Sequence, residues 1–203
     1  MDRPQPKSRE DALTWIAASS VVGYLGLFVG TGFSKAATLD RAPSFEQLLK
    51  TLAERLGQSG DFDNDPDCRR KSLSQIASKI LRVATSAPNA PGRAVEFRDE
   101  IAKLCNLAPD PSVAVQLRAA LESVRPAWVI TTNYDLILES LIEDSESVLP
   151  PSPLVPKTSR PPIYHLHGHR HSPGTIRITE EDYVTLLGPI DYQRLKLPLL
   201  FFE

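Results

Sequence analysis

The sequence contains few cysteines and no surplus of either charge. Its 203 residues include two cysteines, Cys68 and Cys105, which are too few for a disulfide framework or for a zinc site with four cysteine ligands. Isolated thiols are typical of reducing compartments, so a cytoplasmic protein is expected. Lys and Arg total 23, and Asp and Glu total 25. Because contacts with nucleic-acid phosphates require a basic surplus, direct nucleic-acid binding is not expected.

A long uninterrupted apolar run is also missing. Residues 12–34 carry no charge, but serines and glycines recur through this stretch and two acidic residues precede it. A transmembrane helix requires about 20 predominantly apolar residues. The pattern instead predicts a helix over 10–19 that Ser8 caps, followed by a buried strand over 25–29. Neither a membrane span nor an export signal is expected.

Apolar strands that alternate with amphipathic helices predict an α/β fold with a Rossmann-like parallel sheet, in a single domain over 1–203. Helices between the first two strands form an insertion over about 45–124, and Ser44 and Gln47 mark its start as a capping box. Six of the eighteen prolines lie within 150–162, and the segment 148–162 is therefore expected to be irregular. The remaining predicted helices cover 71–83, 94–104, 112–124, 136–143 and 180–187, the last capped by Thr179. The remaining predicted strands cover 127–131, 163–166 and 175–178. Turns or loops are predicted at 30–35, 60–67 and 172–174, and the segment 191–201 is apolar.

Polar residues follow three of the predicted strands, at 30–34, 131–135 and 165–168. Ligands of parallel α/β sheets bind outside the carboxyl ends of the strands. These three strand ends are therefore expected to meet in one crevice, and this convergence is the main functional signal in the sequence.

Each strand end allows a structural and a functional interpretation. A strand that runs into Gly30 and Gly32 with Ser34 nearby can bring backbone amides close to a phosphate, but such glycines also occur at purely structural turns. The third glycine of a full dinucleotide fingerprint is absent. Asn133 can hydrogen-bond a ribose hydroxyl or a water, whereas Asp135 is also a favoured helix cap.

All four histidines lie within seven residues, at positions 165, 167, 169 and 171. Alternate positions on a strand share one face, which is compatible with metal chelation. No further ligand follows at a recognisable spacing, so no metal is expected. A single histidine that acts as an acid or a base is the better interpretation, because its ordinary pKa suits that task.

Three motifs together resemble the SIR2 family, and more closely the bacterial SIR2-like branch found in anti-phage defence proteins. The motifs are Gly30-Thr31-Gly32-Phe33-Ser34, Thr131-Thr132-Asn133-Tyr134-Asp135 and His167-Gly168. Shorter matches at 42–45, 163–168, 176–179 and 182–183 follow in the same order. The likeness covers about 25–183.

The resemblance implies a site for NAD in which Asn133 and His167 are the catalytic pair. The residues that it places against the dinucleotide are Gly30, Thr31, Gly32, Phe33, Ser34, Thr132 and Asp135. Sirtuin deacylases carry a zinc ribbon with two Cys-x-x-Cys pairs, which Cys68 and Cys105 cannot supply. The zinc-free branch typically hydrolyses NAD to halt infection. Cleavage of the nicotinamide–ribose bond is therefore expected, with NAD as substrate.

The sequence also departs from the family pattern, because no strand ending in a Gly-x-Ser-type turn follows Tyr183. A domain truncated at its C-terminus, or a sheet completed in another way, is expected. The resemblance further implies a homo-oligomer, and a separate defence protein or a missing C-terminal domain as partner. Two other functions stay open: a non-enzymatic module that binds NAD or ADP-ribose and controls assembly, and a zinc-independent protein deacylase.

Overall fold

A parallel sheet of four strands organises the part of the chain that the computed structural model describes, namely residues 6–58, 71–86, 93–149 and 160–186. The strands are β1 (Gly26–Val29), β2 (Trp128–Thr131), β3 (Glu146–Val148) and β4 (Pro162–His165). Their order across the sheet is β1-β2-β4-β3, and every neighbouring pair is parallel. The predicted α/β class with a Rossmann-like parallel sheet is confirmed.

The register of the sheet aligns three strand ends. Val29 lies opposite Thr131, and Thr131 lies opposite His165. The chain therefore leaves β1, β2 and β4 at the same level, with β2 between the other two strands. This alignment confirms that the strand ends meet at one edge.

Eight helices accompany the sheet within the described residues. They are α1 (Arg9–Val21), α2 (Thr31–Ala37), α3 (Phe45–Arg55), α4 (Leu73–Thr85), α5 (Arg93–Leu104), α6 (Pro111–Val124), α7 (Ile137–Leu141) and α8 (Glu180–Leu186). Local sequence explains several of their starts. Ser44 and Ser72 each form a complete capping box, and the side chains of Ser8 and Asp110 also accept a backbone N–H.

Two apolar clusters hold these elements together. One joins α3, α4 and α5 and includes Phe97 and Ile101, both fully buried. The other lies against the sheet and includes Val129, Ile137 and Ile163. Since α2 to α6 all lie between β1 and β2 in the chain, the first cluster is built largely from the segment that separates these strands. No helix within the described ranges is long and apolar enough to cross a membrane.

Several local predictions are wrong. The glycine turn at 30–35 is the start of α2, with Gly30 as its N-cap. The hairpin at 172–174 and the strand over 175–178 do not form, because Pro173–Thr175 make a single 3-10 turn and Ile176 and Ile178 are buried in the helical cluster. Their alternating apolar pattern reflects this burial. The strand β3 was not predicted, because its three residues show no apolar alternation. The irregular segment predicted over 148–162 is too long at both ends, since Val148 ends β3 and Pro162 begins β4.

Some predictions fall outside the described residues: the polar loop over 60–67, the proline-rich stretch over 150–159, the apolar segment over 191–201, Cys68 and Leu187. The single domain over 1–203 stays a prediction.

Candidate active site

The aligned ends of β1, β2 and β4 border a cavity of about 140 Å³. Its polar wall includes both residues predicted to be catalytic, Asn133 and His167, together with Ser34 and Asp135. These four side chains come from segments up to 133 positions apart in the chain, between Ser34 and His167. The sheet register brings them together, as the strand-end pattern predicted.

Asn133 is held by a chain of hydrogen bonds that ends on a carboxylate. Its Nδ2 donates to Ser34 Oγ at 2.8 Å, and Ser34 Oγ donates to Asp135 Oδ2 at 2.7 Å. The second oxygen, Asp135 Oδ1, accepts from the backbone N–H of Ile137 at 3.1 Å, at the start of α7. Asp135 therefore accepts the first backbone N–H of α7, although the N-cap itself is Leu136, and it also ends this chain of hydrogen bonds.

The direction of these hydrogen bonds determines which atom of the Asn133 amide has no partner. An ionised carboxylate only accepts hydrogen bonds, so the Ser34 hydroxyl must donate to Asp135 and accept from Asn133. This places Nδ2 of Asn133 toward Ser34. Asn133 Oδ1 is then buried without a hydrogen-bond partner among the described residues. A buried acceptor of this kind costs free energy unless a ligand or a water donates to it.

Burial also affects the charge of Asp135. It raises the pKa of this carboxyl above its ordinary value, and the hydrogen bonds from Ser34 and from the Ile137 backbone oppose the shift. A desolvated carboxylate gains from any nearby positive charge. The site therefore favours a ligand that has proton donors for Asn133 and carries, or develops, positive charge.

His167 forms the opposite part of the cavity wall. Burial lowers its pKa to about 4, and a hydrogen bond with the Thr132 backbone opposes this shift only in part. The imidazole is therefore neutral at physiological pH and keeps a lone pair that can accept a proton. The ring packs edge-on against Tyr183, with 5.1 Å between the ring centroids.

Gly168 fixes the chain directly after His167. It has a φ of +77°, and a Cβ at this position would lie 2.3 Å from the backbone oxygen of Thr175. Only glycine fits both the conformation and the space. The turn is closed by a bond from the Arg177 N–H to the His167 carbonyl at 2.9 Å.

The residues predicted to contact the dinucleotide divide into two groups. Those that line the cavity are Thr31, Ser34, Thr132 and Asp135, and those that do not are Gly30, Gly32 and Phe33. A Cβ on Gly32 would meet no atom within 4 Å, so the fold itself does not require a glycine there. The open space beside the start of α2 is compatible with close approach of a ligand. The contacts themselves stay a prediction.

The apolar wall of the cavity was not predicted from residue chemistry. It consists of Ala42, Pro43, Phe45, Leu48, Cys105, Leu107, Tyr134 and Tyr183. The similarity at 42–45 and 182–183 was its only signal in the sequence. Burial raises the pKa of the Cys105 thiol to about 12, so this free cysteine is an apolar wall residue and not a nucleophile.

The remaining histidines do not join His167 in a common site. His165 is fully buried and pairs with Glu139, and the ring of His169 lies 5.0 Å from the ring of His165. Within the described ranges, no group of three or more His, Cys, Asp or Glu side chains is arranged to hold a metal ion. The prediction that no metal is used stays a prediction.

A protein-family model matches the part of the chain that contributes Asn133 and His167 to the cavity. The family model described as "SIR2-like domain" matches residues 127–200, which include β2, β4, Asn133 and His167. No curated protein matches the chain. The motif-based resemblance is thus confirmed as a match to the SIR2-like family model over residues 127–200.

Proposed function

We propose that this protein hydrolyses the nicotinamide–ribose bond of NAD and releases nicotinamide and ADP-ribose. The observation that carries the proposal is the cavity in which the unpartnered Oδ1 of Asn133 and the neutral imidazole of His167 come together. The SIR2-like domain supports an NAD-related activity for this site.

The reaction needs little acid catalysis, because nicotinamide leaves as a neutral molecule. The transition state resembles an oxocarbenium ion, as in glycoside hydrolysis. A site for this reaction must hold the ribose and a water in place and tolerate positive charge. Asn133 Oδ1 can accept a hydrogen bond from a ribose hydroxyl or from the water. His167 can accept the proton that the water loses. The buried carboxylate of Asp135, one hydroxyl away from Asn133, favours positive charge nearby.

The size of the cavity supports a position for one end of the dinucleotide. Pockets for drug-sized ligands enclose about 300–1,000 Å³. At about 140 Å³, the cavity among the described residues suits the nicotinamide riboside part. Its apolar wall, with Phe45 and Tyr183, is suited to a planar ring.

The test is to incubate the purified chain with NAD and to measure nicotinamide and ADP-ribose by chromatography. We expect release from NAD and none from NADH, whose reduced ring is a poor leaving group. Asn133→Ala and His167→Ala should each abolish release and remain folded. Exposed residues of the same types provide matched controls, so Asn106→Ala and His171→Ala should keep full activity. Undiminished turnover in both site variants would refute the assignment.

The same experiment separates the two other functions. A binding module would bind NAD or ADP-ribose and release no nicotinamide. A deacylase would release nicotinamide only when an acetylated peptide is added. We further propose that hydrolysis depletes NAD in anti-phage defence and that the active form is an oligomer. A cell-survival assay under phage infection, with Asn133→Ala as the inactive control, tests the first of these, and light scattering tests the second.

A further inference from the structure

A second buried polar group lies behind the candidate active site, at the end of β4. The side chain of His165 has no exposed surface, and both ring nitrogens have a partner. Its Nδ1 lies 3.2 Å from the backbone oxygen of Asn133, and its Nε2 lies 2.6 Å from Glu139 Oε1. His165 thus connects a carboxylate on α7 with the backbone of the residue that the proposed hydrolysis requires.

The partners determine where the protons of His165 lie. A carbonyl oxygen only accepts hydrogen bonds, so Nδ1 must carry a proton and donate a hydrogen bond to the backbone oxygen of Asn133. Ser147 Oγ already donates to Glu139 Oε1 at 2.6 Å. Burial acts to raise the pKa of Glu139, but the hydrogen bonds from His165 and Ser147 lower it overall, so Glu139 is a carboxylate. Nε2 lies 2.6 Å from this carboxylate, so Glu139 holds one nitrogen of the ring while the other faces the carbonyl oxygen of Asn133.

Asn133 lies in an irregular stretch after β2, so no sheet ladder fixes its backbone. Its N–H donates to Thr131 Oγ1 at 3.1 Å, and its side chain is held by Ser34. The bond from His165 is the contact that the structure gives to its carbonyl oxygen. Loss of this bond would leave the side-chain contacts in place and free the peptide plane that aims the amide.

We propose that His165, held by Glu139, is a positioning residue for the hydrolysis, which fixes the Asn133 peptide plane by donating from Nδ1 to its carbonyl oxygen. This inference rests on the proposed function. His165 does not line the cavity, so it acts on the reaction through Asn133. A histidine that merely filled space would be replaceable by any side chain of similar volume.

Substitutions that keep or remove one hydrogen-bond donor distinguish a positioning role of His165 from a space-filling role. His165→Leu removes the donor to Asn133, whereas His165→Asn keeps an N–H at the δ position. Glu139→Gln keeps the donor, because a neutral His165 can accept at Nε2 from the new amide and still donate from Nδ1. We expect kcat per folded molecule to fall at least about tenfold in His165→Leu, with KM for NAD within about threefold of the wild type. His165→Asn and Glu139→Gln should each keep most of the wild-type kcat. His171→Leu, at an exposed histidine, should leave kcat unchanged.

Equal losses in His165→Leu and His165→Asn, or a loss that appears only in KM, would overturn the proposal. Imidazole nitrogen NMR of the full chain gives a readout that does not depend on activity or on the foldedness of His165→Leu. Nδ1 of His165 should be protonated both in the wild type and in Glu139→Gln. An unprotonated Nδ1 in either protein would also overturn the proposal. If the wild type releases no nicotinamide but shows the expected NMR signals, the proposed hydrolysis fails while the link from His165 to Asn133 stands.

Discussion

Replacement of Ser34 by alanine tests the hydrogen-bond chain on which the proposed active site depends. Ser34 is 2% exposed and joins Asn133 Nδ2 to Asp135 Oδ2. Ser34→Ala would leave one buried donor and one buried acceptor without partners, at a cost of about 1–3 kcal/mol each. The free energy of unfolding should therefore fall by about 2–6 kcal/mol. The pKa of Asp135, which burial raises and the Ser34 hydrogen bond holds down, should rise further.

The effect of Ser34→Ala on turnover follows from the orientation of the Asn133 amide. Without Ser34, no contact among the described residues distinguishes Nδ2 from Oδ1. If Ser34 favours the present orientation of the Asn133 amide by about 1–3 kcal/mol, its loss should lower the rate of nicotinamide release about 5- to 150-fold. Urea unfolding gives the stability, and release is measured per folded molecule.

The matched control for Ser34→Ala is Ser78→Ala. Ser78 is a similarly buried serine, 5% exposed, whose Oγ donates to Glu181 Oε2 at 2.6 Å, away from Asn133. Ser78→Ala should lower stability and leave turnover per folded molecule unchanged. Full turnover in Ser34→Ala would refute the reasoning that Ser34 sets the Asn133 amide.

Three further substitutions or conditions give independent tests. Asp135→Asn should lower kcat, as measured by nicotinamide release. Its loss of stability in urea should be smaller than that of Ser34→Ala, because the new amide can present a donor toward Ser34. Gly168→Ala should destabilise the fold by more than about 1–2 kcal/mol in urea, from its positive φ and the contact with Thr175, whereas Gly174→Ala, whose Cβ would meet nothing within 4 Å, should not. His167 has a folded pKa of about 4 against an ordinary 6.5, so the unfolded chain binds the extra proton between these values. Stability should therefore fall by about 3 kcal/mol as the pH drops through this window, and His167→Gln should remove that part of the slope.

Local signals in the sequence predicted most helices and most strands, because caps and apolar periodicity act over a few residues. Ser44 with Gln47 shows this, since the whole capping box lies within four positions. The three-residue strand β3 was missed for the opposite reason: its partner, β4, follows only after the proline-rich connection, and its own residues carry no pattern. The 3-10 turn at Pro173–Thr175 likewise depends on packing of Ile176 and Ile178 against distant helices.

The members of the candidate site could be predicted, but their connections could not. Strand ends and motif similarity pointed to Asn133, His167, Ser34 and Asp135. The bond between Ser34 and Asp135 spans 101 positions, so only the fold reveals that Asp135 acts through Ser34. The separation of His165 from His167 has the same origin. The alternating pattern predicted that both histidines lie on one face of a strand. The strand instead ends at His165, and the turn at Gly168 places His167 against the cavity.

The geometry of Asn133 depends on both strands that flank β2. Ser34, just beyond β1, ties its amide to the carboxylate of Asp135, and His165, at the end of β4, ties its carbonyl to the carboxylate of Glu139. Both carboxylates lie within six residues of Asn133, in the segment that follows β2. Each set of hydrogen bonds therefore connects this segment to a residue at a neighbouring strand end and then back to the same segment. A shift of either neighbour would therefore move Asn133. The parallel register that places Val29, Thr131 and His165 side by side is thus a requirement of the proposed site as well as a feature of the fold.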